Sequence, residues 1–252
     1  MSLEKRRKQG FVVILICLVA ALALFLWPGK PGSGPLPNFA DLESQARKAA
    51  FFDYLLPIVE DRNAEIQRTR DWVLQVLDAE TMNWLDAWRW RRLAGEYRVS
   101  LDQSDVQVAS ALRRRVDRIP ASLILAQAAK ESGWGRSRFA RVGNAVFGER
   151  CFEAGCGIVP QGRAAGARHE VRSFDSVADS VESYLLNLNS HERYAELRRE
   201  RERLSDQGLA VRGSALAPFM TFYSERGEAY VDDILALISY NDLEPPAPGD
   251  AR

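Results

Sequence analysis

The chain has 252 residues, with 34 basic and 34 acidic side chains and a formal net charge of zero. That balance, with no basic stretch interleaved with stacking aromatics, excludes the electrostatic footprint of a nucleic-acid binder. Hydrophobic residues make up 46% and charged residues 27% of the chain, so most of it is expected to be globular: one sizeable domain plus extras.

Phe11 to Trp27, FVVILICLVAALALFLW, is an uncharged apolar run preceded by Lys5, Arg6, Arg7 and Lys8. Such a run is near the lower limit for crossing a bilayer, and the basic flank keeps the preceding residues in the cytoplasm. The sequence therefore predicts a cytoplasmic N-terminus over 1–9 and a transmembrane signal anchor over 10–27, with everything beyond it exported. A cleaved signal peptide at Ala21-Leu22-Ala23 is the alternative, but the apolar run continues through Trp27. A Pro/Gly linker, PGKPGSGPLP, leads out of it and occupies 28–38.

Residues 39–104 read as a helical segment. Asn38 is the expected N-cap, with Asp41 in the first turn. Apolar residues recur at helical spacing from Leu42 to Leu77, and Pro57 is expected to kink or split the helix. Thr81 is expected to open a second helix with Trp84, Leu85, Trp88 and Leu93 inward. Ser104 caps a third helix running to Val116, in which Arg113, Arg114 and Arg115 read as a solvated face.

The stretch RIPASLILAQAAKESGWG, Arg118 to Gly135, is a helix apolar almost all round, hence buried. Pro120 suits its first turn, and Gly133 and Gly135 end it. Gln127, Lys130 and Glu131 fall in one polar sector about 100° wide. Desolvation beside Trp134 and the negative end of the helix dipole would raise the pKa of Glu131, as a general acid needs. The plain alternative is that this stripe faces water.

Residues 143–170 carry glycines and no sustained period, which predicts loops with a short hairpin and a strand edge at Val171 to Phe174. Cys151 and Cys156 lie in this stretch, and their spacing suits a disulfide in an oxidising compartment; two free thiols are the alternative. Zinc finds three ligands at best, counting His169, so no metal is expected. Asp175 or Ser176 caps the next helix, with Val177, Val181, Tyr184 and Leu188 inside. A charged helical run follows from Tyr194 and Leu197, then helices over about Ala215 to Tyr223 and Ala229 to Tyr240, and a disordered tail over 245–252. No Gly-rich phosphate loop or nucleophilic triad spacing appears, and no cofactor is expected.

LILAQAAKESGWGRSRFARVGNAVFGERCF, GCGIVP and RHEVRSFDSVADSVESYLLNLNSHERYAELR together resemble the Bax-like group of the exported glucosaminidase family, glycoside hydrolase family 73, with its mannosyl-glycoprotein endo-β-N-acetylglucosaminidase-like domain. The likeness runs from Ile119 to Leu197, and FFDYLLPIVEDRN resembles the helical segment preceding the domain. The resemblance implies a mainly α, lysozyme-like helical domain over 105–244 with a hairpin insertion. It also implies a hydrolase that cleaves the β-1,4 bond after N-acetylglucosamine in peptidoglycan glycan strands; with the anchor predicted above, this is expected in the periplasm, held at the bacterial inner membrane. Carried over residue by residue, the catalytic acid falls on Glu131 and the cleft tyrosine on Tyr194. A variable second acid falls on Glu170, with Glu149, Glu153 and Asp175 as rivals. Gln127, Trp134, Asn144 and Phe147 are the implied substrate-binding positions. A lytic transglycosylase and an inactive peptidoglycan-binding scaffold are the competing readings.

Overall fold

The computed structural model describes residues 30–79, 81–164 and 166–245; the expected anchor, the cytoplasmic N-terminus and nearly all of the tail lie outside them. The described residues from Gly32 onward pack as one compact unit. Among the described residues, no helix is long and apolar enough to cross a membrane.

Helix α1, Ser44–Asp78, runs unbroken through Pro57. The split expected there does not occur: Phe51, Leu55, Ile58 and Val59, all buried around the proline, hold both halves to one core. Asn38 does not cap α1. Its side chain closes a local turn, accepting from Ala40 N at 3.0 Å and donating to Asp41 at 2.9 Å.

Helix α2, Trp84–Glu96, is capped by Asn83 rather than opened at Thr81. It reverses one expectation. Leu93 and Ala94 are buried, whereas Trp84, Leu85 and Trp88 are 76%, 55% and 58% exposed. The helix is apolar on two sides, and periodicity alone does not say which side meets the core.

Helix α3, Asp105–Arg115, begins with a capping box of Ser104 and Gln107. Its arginines are not simply a solvated face. Arg115 Nη1 donates to the carbonyls of Tyr97, Arg98 and Ser190, and Arg114 pairs with Glu202 at 2.6 Å. Helix-end carbonyls need donors, and Arg115 supplies one.

Helix α4, Ala121–Ser132, is the buried axis of the fold, with every residue from Ser122 to Ala129 buried. Helix α1 packs along it. The short helix α5, Arg138–Gly143, was not visible as a period. Three strands follow, β1 Arg150–Cys151, β2 Gly157–Ile158 and β3 Glu170–Arg172. They form an antiparallel sheet in the order β1-β3-β2, with Arg150 opposite Val171 and Gly157 opposite Arg172. The expected strand edge at Val171 is therefore the central strand of the sheet. Gly157 permits the pairing, since a Cβ there would sit 1.9 Å from the Val171 carbonyl oxygen.

Ser176 caps α6, Val177–Ser190, and a 3₁₀ turn over Glu192–Tyr194 leads into α7, Ala195–Asp206. Helix α8, Gly213–Leu216, continues into a 3₁₀ turn, Ala217–Met220, and α9, Glu228–Tyr240, closes against α4. The main core joins α1, α4, α6, α7 and α9. A second core joins the later half of α1 with α2 and α3.

Within the charged run of α7, Arg201 is fully buried. Its guanidinium donates to the carbonyls of Arg114, Asp117 and Arg118 and to Asn189 Oδ1. It thereby pins the turn that starts α4. Burial lowers its pKa to about 10.

Candidate active site

Glu131 stands in the last turn of α4, and three consecutive left-handed residues end that helix. Gly133, Trp134 and Gly135 have φ of 58°, 61° and 75°. Ser132 locks this turn, its hydroxyl donating to Ala128 O at 2.6 Å and accepting from Gly135 N at 2.9 Å. A left-handed conformation is costly for a side chain as large as Trp134. It persists because the indole is packed on α1, edge-on to Phe52 at 5.1 Å and Phe51 at 6.1 Å, with Lys48 Nζ over its face at 5.3 Å.

A directed hydrogen-bond chain ends on Glu131. The Tyr184 hydroxyl donates to Gln127 Oε1. Gln127 Nε2 donates to Tyr230 Oη at 2.9 Å, and Tyr230 donates to Glu131 Oε1 at 2.9 Å. Because Tyr230 accepts from the Gln127 amide, its single proton is committed to Glu131. Successive polarisation strengthens such a chain. The polar sector read from the sequence is therefore divided. Gln127 is fully buried, while Lys130 and Glu131 are half-buried, and Lys130 pairs with Asp233 at 2.7 Å. Burial raises the Glu131 pKa above the usual carboxyl range; the Tyr230 hydrogen bond and the Lys130 charge oppose that in part. Oε2 of Glu131 has no hydrogen-bond partner among the described residues, which leaves one oxygen committed and the other available.

Aromatic rings wall this site. Phe147 stacks on Tyr184 with centroids 3.9 Å apart, and Tyr223 stacks on Tyr230 at 5.5 Å. Tyr223 also donates to the Phe147 carbonyl at 2.9 Å, joining the loop after α5 to the segment before α9. Burial pushes the Tyr184 and Tyr223 hydroxyls far above their ordinary pKa, so they stay protonated donors.

The tyrosine in contact with Glu131 is thus Tyr230, whereas the sequence reading favoured Tyr194. Tyr194 lies in the 3₁₀ turn, edge-on to His191 at 6.2 Å, and burial pushes its pKa up to about 12. Tyr230 carries no motif that marks it. Its role follows from α9 crossing α4 at the level of Gln127 and Glu131.

Glu170 is likewise occupied. Its two carboxylate oxygens accept from the backbone N–H groups of Gly155 at 3.2 Å and Gly157 at 2.9 Å, tying β3 to the cysteine loop. Cys151 and Cys156 are joined by a disulfide within that loop. Among the rivals, Glu153 and Asp175 are exposed. Glu149 differs from both. Its Oε2 accepts from Ser183 Oγ at 2.8 Å, and Oε1 is buried with no hydrogen-bond partner among the described residues. Burial raises its pKa, opposed by Ser183 and Arg172.

The implied substrate-binding side chains are spent on architecture. Asn144 Oδ1 accepts from Leu36 N, and its Nδ2 donates to the carbonyls of Phe174 and Asp175. Gln127 lies inside the hydrogen-bond chain, Phe147 inside the aromatic stack, and Trp134 on α1. They shape the wall around Glu131 rather than presenting free polar groups to a ligand. A cavity of about 620 Å³ exists elsewhere, between α1, the turn before α4 and α7, and shares no lining residue with this site.

A half-buried carboxyl with a raised pKa, held on one oxygen by a buried donor, is chemically able to donate a proton. The family model described as mannosyl-glycoprotein endo-beta-N-acetylglucosaminidase matches residues 106–243. The chain is also similar to "Protein bax" of Escherichia coli (strain K12), 31% identical over 211 residues, covering 83% of this chain and 75% of that protein. No solved structure matches it. The chain belongs to the glucosaminidase family and is a Bax-like member of it.

Proposed function

We propose that this protein is a peptidoglycan hydrolase, an endo-β-N-acetylglucosaminidase that cleaves the β-1,4 bond after N-acetylglucosamine, with Glu131 as the general acid. The observation that carries the reading is the chain from Tyr184 through Gln127 and Tyr230 to Glu131 Oε1. It fixes one oxygen of a carboxyl whose burial favours the protonated form, and leaves Oε2 to deliver the proton. Glycoside cleavage needs that proton on the leaving oxygen and a group that meets the oxocarbenium-like charge. The second group is either a carboxylate that activates water or the substrate's own N-acetyl oxygen. Glu149, with one oxygen unpartnered, fits the carboxylate route better than Glu170, whose two oxygens are engaged. Residues 10–27 serve as a single-pass anchor in the bacterial inner membrane, with the enzyme domain in the periplasm; the motive is the apolar run and its basic flank.

Digestion of purified sacculi with mass spectrometry of the products tests the activity. A reducing N-acetylglucosamine end is expected. An anhydro-muramic end would make the protein a lytic transglycosylase, and binding without products a scaffold.

A further inference from the structure

The outer side of α2 has no part in the chemistry above and no partner within the fold. At about 100° per residue, Trp84, Leu85 and Trp88 fall within one 100° sector of the helix. Arg91 stands at one edge, and Arg92 lies within it, its guanidinium 5.6 Å from the Trp88 ring; Arg89, at the other edge, is turned back onto the Trp72 ring of α1 at 4.0 Å. All six are exposed, and Met82, just before the helix, is exposed beside them. The acid of the first turn is turned to other use. Asp86 accepts from Trp72 Nε1 at 3.1 Å and from Asn83 Nδ2 at 2.6 Å. The outward side is left apolar with a cationic rim, and Glu96 is the acid at its far end.

We propose that this side of α2 is a second membrane contact, seated on the anionic surface of a lipid bilayer. Tryptophan prefers the bilayer interface, with its ring among the acyl chains and its N–H toward water. Arginines at the rim reach lipid phosphates while their stems lie on apolar surface. Each arginine close to an anionic surface is worth about fivefold in partitioning. A glycan platform is the alternative use of exposed tryptophans, and the sacculus arm of the test below separates the two. Here Leu85 and Met82 lie beside the rings, which fits acyl chains. The setting rests on the reading of residues 10–27 as an anchor. Gly32 and Leu36 pack into the compact unit, so only Pro28 to Pro31, at most about 14 Å when extended, separate the anchor from it, and an anchored domain would meet the bilayer at high effective concentration.

The test uses the fragment Gly32–Arg252, which holds the compact unit and lacks the anchor, floated with vesicles of phosphatidylcholine alone or mixed with phosphatidylglycerol. Binding to the mixed vesicles at millimolar lipid is expected. Trp84→Ala with Trp88→Ala should weaken it at least about tenfold, and Arg91→Gln with Arg92→Gln should reduce its dependence on phosphatidylglycerol. Sacculus digestion in solution and the melting temperature should not change, since these side chains are exposed and outside the site. Vesicle binding that is absent, or equal in the tryptophan variant, overturns the inference. So does a loss of sacculus binding in that variant with vesicle binding intact, which would make the side a glycan platform. Carbonate extraction of the full chain reads the anchor separately: a full chain released from membranes while the fragment still binds vesicles refutes the anchor and leaves the α2 surface standing.

Discussion

Tyr230 donates its hydroxyl proton to Oε1 of Glu131 at 2.9 Å while accepting from the Gln127 amide. Two consequences separate cleanly. The hydrogen bond favours the ionised carboxylate, and so opposes the burial that raises the Glu131 pKa. It also satisfies a fully buried amide on α4.

Tyr230→Phe removes both. Without the donor, the Glu131 pKa rises further, so the basic limb of the kcat/KM profile on soluble glycan fragments should move to higher pH. Gln127 Nε2 would lose its acceptor, and an unsatisfied buried donor costs about 1–3 kcal/mol. Thermal melts should record that loss. A variant with an unshifted basic limb would remove Tyr230 from the control of the acid.

Glu170→Gln separates loop architecture from chemistry. An amide has one accepting oxygen where the carboxylate used two, so the Gly155 or Gly157 N–H loses its partner. The sheet should loosen by about 1–3 kcal/mol, with kcat preserved in the folded fraction. Glu149→Gln is the informative companion. Ser183 can still donate to the amide oxygen, so the fold should survive, and loss of general-base catalysis would lower kcat by roughly 10²–10⁴-fold. A change of no more than a few-fold would assign the second role to the substrate's N-acetyl group. A hundredfold fall in kcat for Glu170→Gln would restore that residue to the mechanism.

The cysteine loop gives a prediction on stability. Cys151→Ser with Cys156→Ser opens a short loop, and chain-entropy arguments assign such a closure about 2 kcal/mol. The double variant of Gly32–Arg252, and the wild-type fragment under reductant, should both melt lower by that amount. Alkylation without reductant should label neither cysteine of the wild-type fragment.

Much of this architecture is legible in the chain, because local physics writes it there. The buried α4 follows from its unbroken apolar run, its end from the glycines after Glu131, and the α6 cap from Ser176. What failed was long-range. No spacing rule links Tyr230 to Glu131 across 99 residues. The Asn144 and Phe147 motif reads as ligand-binding, yet its side chains are consumed in holding a loop. Exposed Trp84 and Trp88 read as core, because a helix apolar on two sides does not announce which side is buried. Arg114 and Arg115 read as solvated charge, because their partners, the Glu202 carboxylate and the carbonyls of Tyr97, Arg98 and Ser190, lie elsewhere in the chain; nor does the charged run of α7 show that Arg201 is buried.

Glu131→Gln carries the most weight. The amide keeps the shape of the carboxyl, and its oxygen can still accept from Tyr230, so the chain through Gln127 and Tyr184 remains intact. It cannot deliver a proton. Cleavage of sacculi should therefore fall by at least about 10²–10⁴-fold. The stability effect has a definite sign. Burial raises the folded pKa of Glu131, so the protonated form is favoured in the native state, and that stabilisation is present below the unfolded value, about 4.3. It is lost as pH rises through the higher folded value. At neutral pH the wild type carries that loss and the amide does not, so Glu131→Gln should melt at an equal or higher temperature there, with the gain shrinking toward acid pH. Activity on sacculi and circular dichroism melts across pH check both halves. A folded Glu131→Gln variant that still cleaves near the wild-type rate would take the proton donor out of this site, whatever the family.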